Sequence, residues 1–130
     1  MSYAGDVSPE SAWERVAAGA VLVDVRTEGE WQHIGVPDIS ALNAKPAFIQ
    51  WNLGSGHNNP DFLRELAEVV QPGTELVVLC RSGARSIAAA EAATAAGYTA
   101  WNILEGFEGE PDRYGERVVN GWKNRKLPWH

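Results

Sequence analysis

The sequence predicts an α/β fold of three layers, with a mainly parallel sheet between two layers of helices. Three observations carry this. Strand-like and helix-like segments alternate along the chain without an internal repeat. The strand-like segments are short apolar runs rich in β-branched residues, as expected of strands covered on both faces. The helix-like segments have caps and one-sided apolar stripes. The 130 residues, 45% hydrophobic and 22% charged, read as a single domain spanning 1–130, with enough apolar surface to offset the entropy of ordering.

Taken in order, Ser8-Pro9-Glu10 opens a helix. Serine suits the N-cap, proline the first helical position, and an acid the first turn. Trp13, Val16 and Ala17 give it an apolar stripe, and Gly19 fits the position just past its end. Ala20 to Val25 reads as a buried strand. Thr27 and Glu30 have capping-box spacing, so a short helix runs to about His33. Between 35 and 60, glycine and proline punctuate the chain; one short strand is placed near Ala41-Leu42-Asn43, and Trp51 to Asn58 is a surface loop. Asn59-Pro60-Asp61 starts a helix whose buried face is Phe62, Leu63, Leu66, Val69 and Val70. Glu75 to Cys80 is the clearest buried strand. Ser86 to Ala96 is a close-packed, alanine-rich helix ending at Gly97, and Thr99 to Leu104 is another strand. Gly106 to His130 is an irregular tail with a short helix near Val118–Lys123. Trp13, Trp31 and Trp101 read as core.

Net charge is −6, which argues against a nucleic-acid partner. The charge is uneven: residues 1–112 carry a net −10 and residues 113–130 a net +4. This basic tail reads as a solvated segment docking on an acidic body, or as a partner-docking patch. No apolar run is long enough to span a bilayer, and no secretory signal is visible before Pro9, so the expected location is cytoplasmic. Cys80 is the one cysteine, which leaves no internal disulfide and no multi-thiolate metal site.

The chemistry concentrates at Cys80. It ends a parallel strand, the edge where open α/β sheets bind ligands. The loop Arg81-Ser82-Gly83-Ala84-Arg85 leads directly to a helix N-terminus at Ser86. Loop amides and the helix dipole would form an anion site there. Arg81 and Arg85 add positive charge, and Gly83 lets the loop curl tightly. Such surroundings favour a thiolate nucleophile over an inert buried thiol.

The run Cys80 to Ser86 resembles the active-site loop of the rhodanese-like sulfurtransferases. Leu22-Val23-Asp24-Val25-Arg26, with Glu30 and His33-Ile34-Gly35, resembles the family's early strand-and-turn motif. Asn102 to Phe107 resembles its late strand and following glycine. Gly121-Trp122-Lys123 and Leu127-Pro128-Trp129 resemble the ending of bacterial single-domain members. One departure is His33-Ile34-Gly35-Val36-Pro37-Asp38, where the family has a His-Ile-Pro-Gly-Ala type of sequence, so the turn must differ there.

The resemblance implies a five-stranded parallel sheet flanked by helices on both faces. It also implies a ping-pong sulfurtransferase. Cys80 takes sulfur from a donor such as thiosulfate, holds it as a persulfide, and passes it to cyanide, a thiol or a protein acceptor. Neither metal nor organic cofactor is needed. Arg81 binds the donor, Arg85 fixes the loop, Asp24 supports it, and Arg26 pairs with an acid, with Glu30 the candidate. Trp51 and Phe107 either line the mouth or pack as ordinary core. Two rivals stand beside this reading. One is a persulfide carrier, sensor or partner-binding module without turnover. The other is a cysteine phosphatase or arsenate reductase, which needs a longer loop than the four residues between Cys80 and Arg85.

Overall fold

A computed structural model of the chain describes residues 2–130. Strand β1 (Gly5–Val7) leads through the Ser8 cap into helix α1 (Pro9–Ala17). There follow β2 (Val21–Asp24), α2 (Glu28–Ile34), a 3₁₀ turn over Ser40–Leu42, β3 (Ala47–Phe48), α3 (Phe62–Val69), β4 (Glu75–Leu79), α4 (Ala84–Ala95) and β5 (Thr99–Ile103). The five strands form one sheet in the order β1-β5-β4-β2-β3, and every pairing is parallel.

The helix starts follow the predicted local chemistry. The Ser11 amide donates to Ser8 Oγ at 3.0 Å. In α2 the capping box closes in both directions: Glu30 N donates to Thr27 Oγ1 and Thr27 N to Glu30 Oε1.

Alternation along the strands divides the core in two. Leu76, Val78 and Cys80 face one side of the sheet, where Phe62 and Leu66 of α3 and Ala89, Ala90 and Ala93 of α4 cover them. Val77 and Leu79 face the other, packed with Ala12 and Val16 of α1 and with Phe107 and Trp122 of the tail. The alanines let α4 lie close against the sheet, directly behind the candidate loop.

Several expectations need correction. The strand near Ala41–Asn43 is the 3₁₀ turn instead; the strand that forms this edge of the sheet comes later, at Ala47–Phe48, just past Pro46. β1 carries no local signal in the sequence, because it has three residues and pairs only with β5, nearly a hundred positions away. On α3, Leu63 and Val69 are 41% and 65% exposed; they flank the stripe Phe62-Leu66-Val70 by about 60° at helical spacing. Trp13 and Trp101 pack on the core, but Trp31 lies edge-on against half-exposed Phe48, outside it.

No helix forms at Val118–Lys123. The Trp122 and Lys123 amides donate to Gly106 O and Phe107 O, so they are unavailable to a local helix. The tail ends by pairing with the unusual turn: Val36 and His130 exchange backbone hydrogen bonds at 2.8 and 2.9 Å, and Asp38 N donates to Pro128 O. That pairing is why the 35–38 segment departs from the expected turn.

Candidate active site

β4 delivers Cys80 to the carboxyl edge of the sheet, and the next residues curl back on it. Gly83 sits at φ +111° as the N-cap of α4, a backbone region that glycine enters without strain. This turns the Gly83 N–H toward Cys80 Sγ at 3.1 Å. The helix therefore begins at Ala84, two residues before the expected Ser86.

The base of the loop is held by the segment after β5. Phe107 N donates to Cys80 O at 2.8 Å and Glu108 N to Arg81 O at 3.0 Å. Gly106 makes the approach possible. Its φ is +64°, and a Cβ there would lie 2.5 Å from Cys80 O.

The sulfur is buried, with Cys80 1% exposed. Besides the Gly83 amide it touches Ser86 Oγ at 3.2 Å. Ser86, itself fully buried, donates its hydroxyl to Asn102 Oδ1. Asn102 Nδ2 donates in turn to Asp6 Oδ1 at 3.0 Å, which also accepts from the Tyr3 hydroxyl at 2.9 Å.

The loop arginines are both engaged. Arg81, 48% exposed at its side chain, meets Glu108 at 3.1 Å. Arg85 grips both oxygens of Glu30 at 2.7 and 3.0 Å. Burial pushes the Glu30 carboxyl up, but the Arg85 hydrogen bond, the Thr27 amide and the charges of Arg85 and Arg26 outweigh it, leaving Glu30 below the usual carboxylate range. Arg85 is correspondingly raised, first by its hydrogen bond to Glu30 and also by the Glu30 and Asp24 charges.

Asp24 and Arg26 pair with each other, not with Glu30. Both side chains are fully buried, with Arg26 Nη2 at 2.8 Å from Asp24 Oδ2. Arg26 also donates to Gly35 O at 2.8 Å and lies 4.2 Å above the Phe107 ring centroid. This pair ties the end of β2, and the turn after α2, beneath the loop. Phe107 is fully buried and Trp51 stacks edge-on against Phe62, so both act in packing.

Ser82 and Gly83 also line a cleft of about 420 Å³ with Asp6, Asn102, Leu104 and Glu110. Asp6 and Asn102 were not singled out from the sequence as site residues. Asp6 is the residue that β1–β5 pairing sets opposite Asn102. The strand run alone placed Asn102 at the sheet's carboxyl edge; nothing local marked Asp6.

Similar proteins were found by sequence and by structure. Residues 4–130 match the family model of the STR4 middle domain. An uncharacterised protein of Rickettsia conorii is 40% identical over 113 residues, which cover 85% of this chain and 82% of that protein. The chloroplastic protein THYLAKOID RHODANESE-LIKE of Oryza sativa subsp. indica is 32% identical over 130 residues, covering 96% of this chain and 25% of that one. The crystal structure of Rv0390 from M. tuberculosis aligns with a TM-score of 0.93 at 46% identity, covering 98% of each chain. The polysulfide-sulfur transferase homodimer of Wolinella succinogenes aligns with a TM-score of 0.64 at 20% identity, over 99% of this chain and 79% of that one; this last likeness concerns the fold alone.

Proposed function

Because the chain belongs to the rhodanese-like family and matches the STR4 middle-domain model over residues 4–130, we propose that it is a sulfurtransferase carrying sulfane sulfur on Cys80. One observation carries the reading: the Gly83 N–H aimed at Cys80 Sγ from the first turn of α4, at 3.1 Å. A backbone donor at a helix N-terminus stabilises negative charge on sulfur. The short loop between Cys80 and Arg85 suits a single sulfur better than a tetrahedral phosphoryl group.

The proposed steps balance as follows. The Cys80 thiol gives its proton to solvent. The thiolate attacks the outer sulfur of thiosulfate, and the S–S bond to the sulfonate breaks, so sulfite leaves with the electron pair. The new S–S bond is the Cys80 persulfide. A nucleophilic acceptor, cyanide or a thiol, then attacks the terminal sulfur and restores the Cys80 thiolate. Arg81 is the donor-binding group; its half-exposed side chain can leave Glu108 for an anionic donor. The Arg85–Glu30 pair holds the loop in shape. With no second cysteine in the chain, the sulfur departs to an external acceptor. A reducing cytoplasm, rich in small thiols, suits this scheme, and a protein acceptor fits the same step.

Intact mass after mixing with thiosulfate tests it. The expected result is a gain of roughly 32 Da, one sulfur, on Cys80. An unchanged mass with a reactive thiol would overturn the reading. A persulfide that forms but is never turned over by cyanide or thiols would favour the carrier module over the enzyme.

A further inference from the structure

The two loop arginines are not equivalent toward an incoming anion. Arg85 commits both terminal nitrogens to Glu30. Arg81 uses only Nε, which donates to Glu108 Oε1 at 3.1 Å. Its Nη1 and Nη2 bond to none of the described residues, and its side chain is 48% exposed. Arg81 is therefore the loop cation with N–H groups left for a donor, beside the Gly83 N–H that points at the sulfur. Glu108 stays at its side. The Glu108 N–H donates to Arg81 O at 3.0 Å, and its carbonyl accepts from Asn124 Nδ2 at 3.3 Å, so the backbone that carries this carboxylate is clasped on both sides. The Glu108 side chain is 13% exposed, and among the described residues Arg81 is its one ion-pair partner. Arg81 and Glu108 together carry no net charge. In the cleft beside the loop, Asp6 and Glu110 add two further carboxylates.

We propose that Glu108 is a specificity-determining residue: by cancelling the Arg81 charge, it turns the sulfur site away from dianionic thiosulfate and toward donors with at most one negative charge, such as the persulfide of a small thiol. The inference rests on the reading of Cys80 as the sulfur-carrying nucleophile and narrows its donor class. An anion bound at Arg81 Nη1 and Nη2 lies beside the Glu108 carboxylate, and the repulsion grows with each charge it carries. A unit charge a few ångströms away in water-like surroundings changes binding by about threefold, and a dianion feels the square of that factor. With a thiol persulfide the transfer step is complete in itself. The Cys80 thiolate attacks the outer sulfur, the S–S bond of the donor breaks, and the small thiolate leaves with the electron pair while the proton stays on the transferred sulfur.

Two paired comparisons test it on the natural protein, Glu108→Gln and Glu108→Asp. The first needs no sulfur donor. Cys80 is alkylated by iodoacetate, an anion, and by iodoacetamide, its neutral amide, so that the ratio of the two rates cancels the reactivity of the thiol itself. Glu108→Gln should raise the iodoacetate-to-iodoacetamide ratio about threefold, the factor for one unit of charge. Glu108→Asp keeps the charge and should stay close to the natural ratio. The second comparison follows the loading of Cys80 by thiosulfate and by methanethiosulfonate, in which a methyl group replaces one oxygen and removes one charge; methanesulfinate is then the leaving group. In Glu108→Gln the half-saturating concentration should fall about tenfold for thiosulfate and about threefold for methanethiosulfonate, with the limiting rates moving much less. An unchanged alkylation ratio in Glu108→Gln overturns the proposal. So does a shift that Glu108→Asp shows in equal measure, because that reports loop shape and not charge. Equal gains for the two donors overturn it as well. If neither donor loads Cys80 while the alkylation ratio shifts as expected, the proposed function fails and Glu108 remains the residue that screens anions from Cys80.

Discussion

Arg85 and Glu30 lie 55 positions apart and meet through two parallel hydrogen bonds of 2.7 and 3.0 Å. The contact fastens the first turn of α4 to the first turn of α2, so the loop that holds Cys80 is braced from outside itself. Glu30 also closes the α2 capping box, joining a helix cap and an active-loop brace in one carboxylate.

Glu30→Gln removes the charge from this brace while keeping its size. We expect sulfur transfer to fall on the order of tenfold, because small displacements of a reacting group are costly. Stability should fall by about 1–2 kcal/mol, between exposed and buried pairs. Steady-state kinetics and thermal melting check the two parts. Unchanged kinetics would mean the loop keeps its shape unaided.

The same pair has a pH signature. Glu30 is held below its ordinary value in the folded chain, so its contribution to stability is present above the unfolded glutamate value of about 4.3. It is lost as pH falls from there through the folded value. The acid arm of the melting temperature should therefore be shallower in Glu30→Gln than in the natural protein. Parallel acid arms would exclude this role for Glu30.

Asp24→Ala should be the most damaging single change near the site. It leaves the fully buried Arg26 guanidinium without its counter-charge, which typically costs about 3–5 kcal/mol. Denaturant unfolding measures this directly. A loss below about 1 kcal/mol, within the range of exposed pairs, would mean that Arg26 finds another partner.

Cys80→Ser should abolish sulfur transfer and leave the fold intact, since a hydroxyl replaces the thiol with little change of volume. Turnover with thiosulfate and cyanide, beside a circular dichroism spectrum, distinguishes the outcomes. Residual turnover in a folded variant would remove Cys80 from the mechanism.

Gly35→Ala tests the docked C-terminus. A Cβ at this position would lie 2.8 Å from the Trp129 ring and 2.9 Å from His130 O, so residues 128–130 must shift. Overpacking of this kind costs about 1–3 kcal/mol. Trp129 would leave Phe107, whose ring it meets edge-on, and proteolysis of the tail should quicken. An unchanged cleavage pattern would mean that the tail accommodates the methyl group in place.

What could be read in the sequence is what neighbours along the chain control. The Ser8 and Thr27 caps, the apolar runs of β2 and β4, the alanine surface of α4 and the Cys80-to-Ser86 loop all follow from side chains a few residues apart. Helical periodicity, capping and strand alternation are local effects. For that reason the sequence alone supported an α/β fold and singled out its one cysteine. The tertiary structure decided the partners. β1 and β3 are too short to announce themselves, yet β1 places Asp6 opposite Asn102. Glu30 turned to Arg85 and not to Arg26 because Asp24 already faces Arg26 within the buried end of β2. The 35–38 turn took its shape from residues 128–130. Each of these pairings joins segments that only strand order and packing bring together, and a buried charge or hydrogen-bond donor takes the partner that geometry leaves within reach.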